Sequence, residues 1–155
     1  YFKAMGEAVS GAGGHLDKFI GDGLMAFFGA PNVLPDAEQQ AVRAAQEMLQ
    51  ALVGFNDTLR ARGLPPLHIG IGLHCGEAIV GNVGARQRHA YTAIGDTVNL
   101  ASRIEGCTKG VARVLVSGAT REACGAHSSF SFANHGQFHV KGREQGVDLF
   151  EPSRH

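Results

Sequence analysis

At Gly63-Leu64-Pro65-Pro66 the apolar pattern of the chain changes period, and neither an all-helical nor an all-strand architecture accommodates both sides of that change. Before it, Val42, Ala45, Leu49, Leu52, Val53 and Leu59 recur at the spacing of one helical face, and Asp36 with Gln39 three residues on forms a capping arrangement that opens the helix. Gly63 and the two prolines stop it. After them Leu67, Ile69, Ile71, Leu73 and Cys75 alternate with His68, Gly70, Gly72 and His74, the rhythm of a strand with one buried face.

The remaining segments extend this mixture. Phe2, Met5 and Val9 share a helical face that ends at Gly11, Gly13 and Gly14, with no visible N-cap; a chain that opens inside a helix is expected to be a segment of something longer. Between His15 and Phe28, two apolar runs flank Gly21-Asp22-Gly23, the composition of a β-hairpin with Asp22 at its tip. Gly76 to Gly84 reads as the hairpin partner of the preceding strand. Thr97 to Glu105 reads as a short helix capped by Asp96 and ended by Gly106, with Asn99 and Arg103 four apart on one face. Val111 to Val116 predicts a strand, Ala119 to Cys124 a short helix, and Phe130 to Phe150 two strands around Lys141-Gly142-Arg143. Helices and hairpins interleaved in this way favour an α+β fold over a doubly wound α/β one.

At 155 residues one domain is expected. Fourteen Lys and Arg balance fourteen Asp and Glu, so the basic field of a nucleic-acid binder is excluded and any anionic ligand must be met by local groups. Three cysteines, Cys75, Cys107 and Cys124, form no CxxC pair, which argues against a disulfide framework or a thiolate zinc site and fits a reducing, cytoplasmic compartment. The apolar run Leu24 to Phe28 is far short of the roughly 20 residues of a spanning helix, and Tyr1 onward carries no signal-peptide pattern. Gly70-Ile71-Gly72 lacks the spacing of a dinucleotide fingerprint, and no P-loop is present. His68 and His74 share a strand face without an acidic or thiol partner, which makes them structural or exposed rather than ligands. Arg86 and Arg88 read as a solvated loop.

Four blocks then point in one direction. Asp17-Lys18-Phe19-Ile20-Gly21-Asp22, Gly76-Glu77-Ala78-Ile79-Val80-Gly81-Asn82-Val83-Gly84, Tyr91-Thr92-Ala93-Ile94-Gly95-Asp96-Thr97-Val98-Asn99-Leu100-Ala101-Ser102-Arg103 and Val140-Lys141-Gly142 resemble, in order, the blocks of class III adenylyl and guanylyl cyclase catalytic domains. Any one block alone is weak; the four together cover nearly the whole chain. The resemblance implies a ferredoxin-like cyclase fold with an antiparallel-rich sheet and flanking helices. It also implies cyclisation of a nucleoside triphosphate by in-line attack of the ribose 3′-hydroxyl on the α-phosphate, with pyrophosphate leaving and two Mg²⁺ or Mn²⁺ ions assisting.

Residue by residue, the resemblance makes Asp22 a metal-bridging carboxylate, although a Gly-Asp-Gly turn taken alone uses Asp for local backbone bonding. Lys18 and Thr92 match the base-contacting positions, in the combination of a bacterial-like adenylyl cyclase subgroup. An ammonium that donates to a ring nitrogen, and a hydroxyl that accepts from an exocyclic amine, suit ATP better than GTP. A lone strand lysine is otherwise a surface charge. Asn99 and Arg103 match the pair that positions the ribose and meets transition-state charge; the plain alternative is a polar helix face. Lys141 matches the lysine that neutralises the β- and γ-phosphates, with Arg143 as a weaker stand-in.

The resemblance further implies a homodimer with composite sites, one chain supplying the metal carboxylates and the other the base-recognising and transition-state groups, so that a monomer is inert. The family's opening strand, which carries a first metal-binding Asp, and the helix after it have no counterpart before Tyr1; the 155 residues are therefore expected to be an N-terminally truncated and weakly active piece, with regulatory or sensor domains elsewhere in a longer protein. A noncatalytic cyclase-like module that binds nucleotide or dimerises is the alternative reading.

Overall fold

The computed structural model describes residues 1–21, 23–83, 90–125, 128–140 and 142–154. It divides into two compact units, Tyr1–Ile69 and Gly70–His155.

The first unit contains helix α1 (Phe2–Gly11), strands β1 (His15–Ile20) and β2 (Gly23–Phe27), and helix α2 (Ala37–Ala61). The two strands pair antiparallel, as the hairpin reading predicts; Asp22 lies outside the described residues. Helix α1 buries Met5, Ala8 and Val9, and α2 buries Val42, Ala44, Ala45, Met48 and Leu52. The two helices pack together, and Arg43 Nη2 donates to the carbonyl of Gly11 at 3.3 Å across them. Two expected inward residues face out: Phe2 and Val53 are exposed. Phe2 instead sets its ring 4.7 Å from that of Phe19.

The capping expectation at Asp36 is corrected. Asp36 occupies the N-cap position in the left-handed region, φ 55°, and its side chain makes no capping bond. An N-cap carboxylate reaches the next turn from extended backbone, and the left-handed geometry turns it away. At the other end α2 stops before Gly63, whose φ of +72° needs no Cβ.

The expected strand from Leu67 to Cys75 is also shorter than its alternation. Asn56 takes both backbone groups of Leu67, accepting from its N–H at 2.8 Å and donating to its C=O at 3.0 Å. A residue whose donor and acceptor are both engaged by a side chain is withdrawn from a sheet ladder. The strand β3 is confined to Ile71–Leu73.

The second unit continues with β4 (Ile79–Val83), β5 (Ala90–Ile94), α3 (Asp96–Gly106), β6 (Val114–Ser117), α4 (Gly118–Cys124), β7 (Phe130–Phe138) and β8 (Val147–Arg154). One sheet runs β3-β6-β8-β7, parallel between β3 and β6 and antiparallel elsewhere. The segment after Gly76 does not pair with β3; β4 joins β5 in a separate antiparallel pair, because its cross-strand partners run from Ile94 back to Ala90. The strand expected over Val111–Val116 begins only at Val114, since the N–H groups of Val111 and Ala112 turn back to Thr108. Among the described residues, no helix is long and apolar enough to cross a membrane.

Helix α3 lies on the four-stranded sheet through Leu100 and Ile104, which are buried with Leu115, Val140 and Leu149. The contact requires glycine in β3 and immediately before it. A methyl on Gly72 would collide with the backbone N of Glu105 and sit 2.6 Å from the carbonyl of Ala101, and one on Gly70 would collide with Thr108. The alternating pattern therefore has two used faces: the glycine face, read as exposed, seats a helix. Because backbone cannot yield as a side-chain tip does, Gly72→Ala should destabilise the chain by about 1–3 kcal/mol. Gly54→Ala, in open space, should leave Tm unchanged or slightly higher. Thermal or urea unfolding of the two variants checks both outcomes; equal Tm for both contradicts the packing.

Candidate active site

Helix α3 presents two chemically different faces. Leu100 and Ile104 point into the core, while Asp96, Asn99 and Arg103 are exposed. Its entry turns at Gly95, whose φ of 132° is outside the range of other residues, and Thr97 Oγ1 donates to the carbonyl of Glu77 at 2.5 Å. Asp96 is not the cap predicted for it. It is the first helical residue, and Gly95 holds the N-cap position. There its charge complements the positive end of the helix dipole, and its Oδ2 accepts from Nη2 of Arg143.

Arg143 belongs to the turn after Val140, closed by its N–H donating to the Val140 carbonyl at 3.0 Å. Its neighbour Gly142, at φ +87°, lies against Arg103: a methyl there would stand 3.4 Å from Cζ, 3.5 Å from Nη2, and would collide with Nη1. The turn thus touches α3 at Asp96 and at Arg103, two helical turns apart, and Asn99 lies between them on the same face. Asn99 and Arg103 do share an exposed face, as their spacing predicts. The turn against that face was invisible to pattern reasoning.

Thr92 sits in β5 and is only 5% exposed. Its cross-strand partner is Gly81, which brings no side chain over it. Lys18 is exposed on β1 in the first unit, next to a register shift between Leu16 and Lys18 that re-aims the strand. Asp22, Lys141, Arg86 and Arg88 lie outside the described residues. Among the described residues no group of three or more His, Cys, Asp or Glu is placed to hold a metal ion.

His74 has a structural partner. Its Nδ1 is 2.7 Å from Ser117 Oγ, which caps α4 by accepting from the Thr120 N–H at 3.2 Å. Burial, with the Arg143 guanidinium nearby, holds the imidazole below its ordinary value of 6.5, against an opposing pull from Asp96. His68 is exposed.

A family model for the adenylate and guanylate cyclase catalytic domain matches residues 3–150. The chain belongs to this family. Its cyclase sequence is 39% identical over 152 residues to "Adenylate cyclase 1" of Rhizobium meliloti (strain 1021), covering 97% of the chain and 23% of that relative. The chain spans less than a third of the length of the curated relatives it matches. Among solved structures it resembles the adenylyl cyclase CyaB from P. aeruginosa, with TM-score 0.92 and 33% identity over 100% of this chain and 79% of that one. It resembles the guanylyl cyclase Cya2 with TM-score 0.90 and 34% identity over 99% and 77%. The α+β cyclase fold implied by the sequence blocks is thereby established.

The lowered pKa of His74 gives this cyclase domain a pH-dependent stability with a definite sign. The unfolded chain takes up a proton near pH 6.5, before the folded one does, so stability is fully present above that pH and declines as pH falls toward the lower folded value. His74→Gln, which keeps a polar partner for Ser117 but does not titrate, should flatten the fall in Tm between about pH 7.5 and 5.5. An unchanged slope contradicts this assignment.

Proposed function

We propose that this cyclase domain converts ATP to 3′,5′-cyclic AMP and pyrophosphate. The observation that carries the reading is the exposed α3 face on which Asn99 and Arg103 stand one turn apart, with the turn following Lys141 in sequence laid against Arg103. In this reading Asn99 orients the ribose, so that the 3′-oxygen lines up with the α-phosphorus. That oxygen forms the new P–O bond, the bond to the bridging oxygen of the β-phosphate breaks, and the hydroxyl proton passes to solvent. Arg103 meets the charge that builds on the phosphoryl oxygens, where a planar guanidinium offers two aligned donors. Lys141 neutralises the departing pyrophosphate.

ATP rather than GTP rests on Lys18 and Thr92, which offer a donor and an acceptor suited to adenine; the similar relative from Rhizobium meliloti carries an adenylate cyclase name. Asp22 would hold Mg²⁺ or Mn²⁺, which would supply Lewis-acid stabilisation when bound. A cytoplasmic homodimer with composite sites, within a longer protein bearing regulatory domains, completes the reading.

Turnover of ATP and GTP by the natural full-length product tests it. ATP should be strongly preferred, and Asn99→Ala or Arg103→Ala should lower kcat on the order of 10²–10³-fold with a much smaller change in ATP binding. Equal use of both nucleotides removes the base assignment, and unchanged kcat removes the pair from the chemistry.

A further inference from the structure

The contacts between the turn after Val140 and helix α3 have a consequence for the geometry of catalysis. Arg143 reaches the first turn of α3 through Asp96, and Gly142 lies beneath the guanidinium of Arg103 at the other end of the same face. The two contacts come from adjacent residues, so they fix both the position of the turn and its orientation along the helix. Gly142 has the left-handed φ and the missing Cβ that let Arg103 settle there.

We infer that Asp96 and Arg143 are positioning residues that latch this turn to α3 and thereby set the direction of the Arg103 guanidinium. The inference rests on the reading of Arg103 as the group that meets transition-state charge. Arg103 is exposed, and a long exposed side chain samples many rotamers; a backbone packed against its guanidinium removes much of that freedom before substrate arrives. Asp96 also neutralises Arg143, so the second guanidinium does not repel the first. His74 is also close enough to feel both Arg143 and Asp96.

The ion pair is poorly suited to a purely stabilising role. Its side chains are 36% exposed for Arg143 and 77% for Asp96, and solvent-exposed pairs of this kind add little to folding stability. Loss of the pair should therefore be read in catalysis and local order rather than in global unfolding.

The test is a panel in the natural full-length product: Asp96→Asn, Arg143→Gln, the double variant, Arg143→Lys, and Arg103→Ala as reference. Each single neutralisation should lower kcat about ten- to a hundredfold, with KM within about twofold and Tm little changed. The double should be no worse than the worse single, because both remove one interaction. Arg143→Lys should recover part of the loss, since charge is kept and the planar fork is not. Wild-type kcat in the single variants, or losses that multiply in the double, overturns the latch while a collapsed Arg103→Ala leaves the functional reading intact. An unaffected Arg103→Ala overturns the functional reading instead, and the latch is then decided by amide hydrogen exchange. The Arg143 N–H, bonded to Val140, should exchange several-fold faster in Asp96→Asn, and equal rates there contradict the latch.

Discussion

The close approach of β3 to α3 is the constraint on which the second unit depends. Gly70 and Gly72 leave no side chain between strand and helix, and the helix backbone at Ala101 and Glu105 comes down to fill that space. Leu100 and Ile104 then reach the sheet core, and the opposite face, with Asn99 and Arg103, is held toward solvent at a fixed height. A helix seated by backbone contact has less room to rock than one resting on long side chains, and close packing of this kind transmits displacement rather than absorbing it. In the proposed reading, Arg103 meets developing charge and benefits from such a foundation.

The charges on this helix act together rather than singly. Asp96 stands at the positive end of the helix, Arg103 one turn from its negative end, and each also touches the turn after Val140. These exposed interactions are individually weak. Their value lies in agreement: dipole, ion pair and glycine contact all favour the same placement of the turn. The cyclase family membership and the close likeness to solved adenylyl and guanylyl cyclases place this helix in a fold that performs nucleotide cyclisation chemistry.

Much of this was legible in the residues themselves. Apolar periodicity identified α1 and α2, the flanking Asp96 and Gly106 marked out α3, turn composition identified the β1–β2 hairpin, and the four-residue spacing of Asn99 and Arg103 placed them on one face. In several places where the reading failed, a partner elsewhere in the chain had overridden a local preference. Asn56 takes the backbone of Leu67 and shortens β3. A partner other than β3 claims β4. Arg143, 47 residues away, engages the carboxylate of Asp96, which pattern reasoning assigned to a cap. Gly70 and Gly72 looked like an exposed face because a missing side chain carries no hydropathy signal, although a missing Cβ is what admits the helix. Asp22 and Lys141, expected to bind metal and phosphate, lie outside the described residues, and their roles rest on the resemblance of their motifs.

The central claim, that this fold cyclises ATP at sites shared between two copies of the chain, meets its most direct test in complementation. Asp22→Ala and Arg103→Ala versions of the natural full-length product should each be nearly inactive alone. Mixed and allowed to exchange subunits, half the dimers carry one of each, and each mixed dimer regains one intact site of two, so cyclic AMP formation should return to about a quarter of wild type. No recovery on mixing, or full activity in either variant alone, contradicts the account.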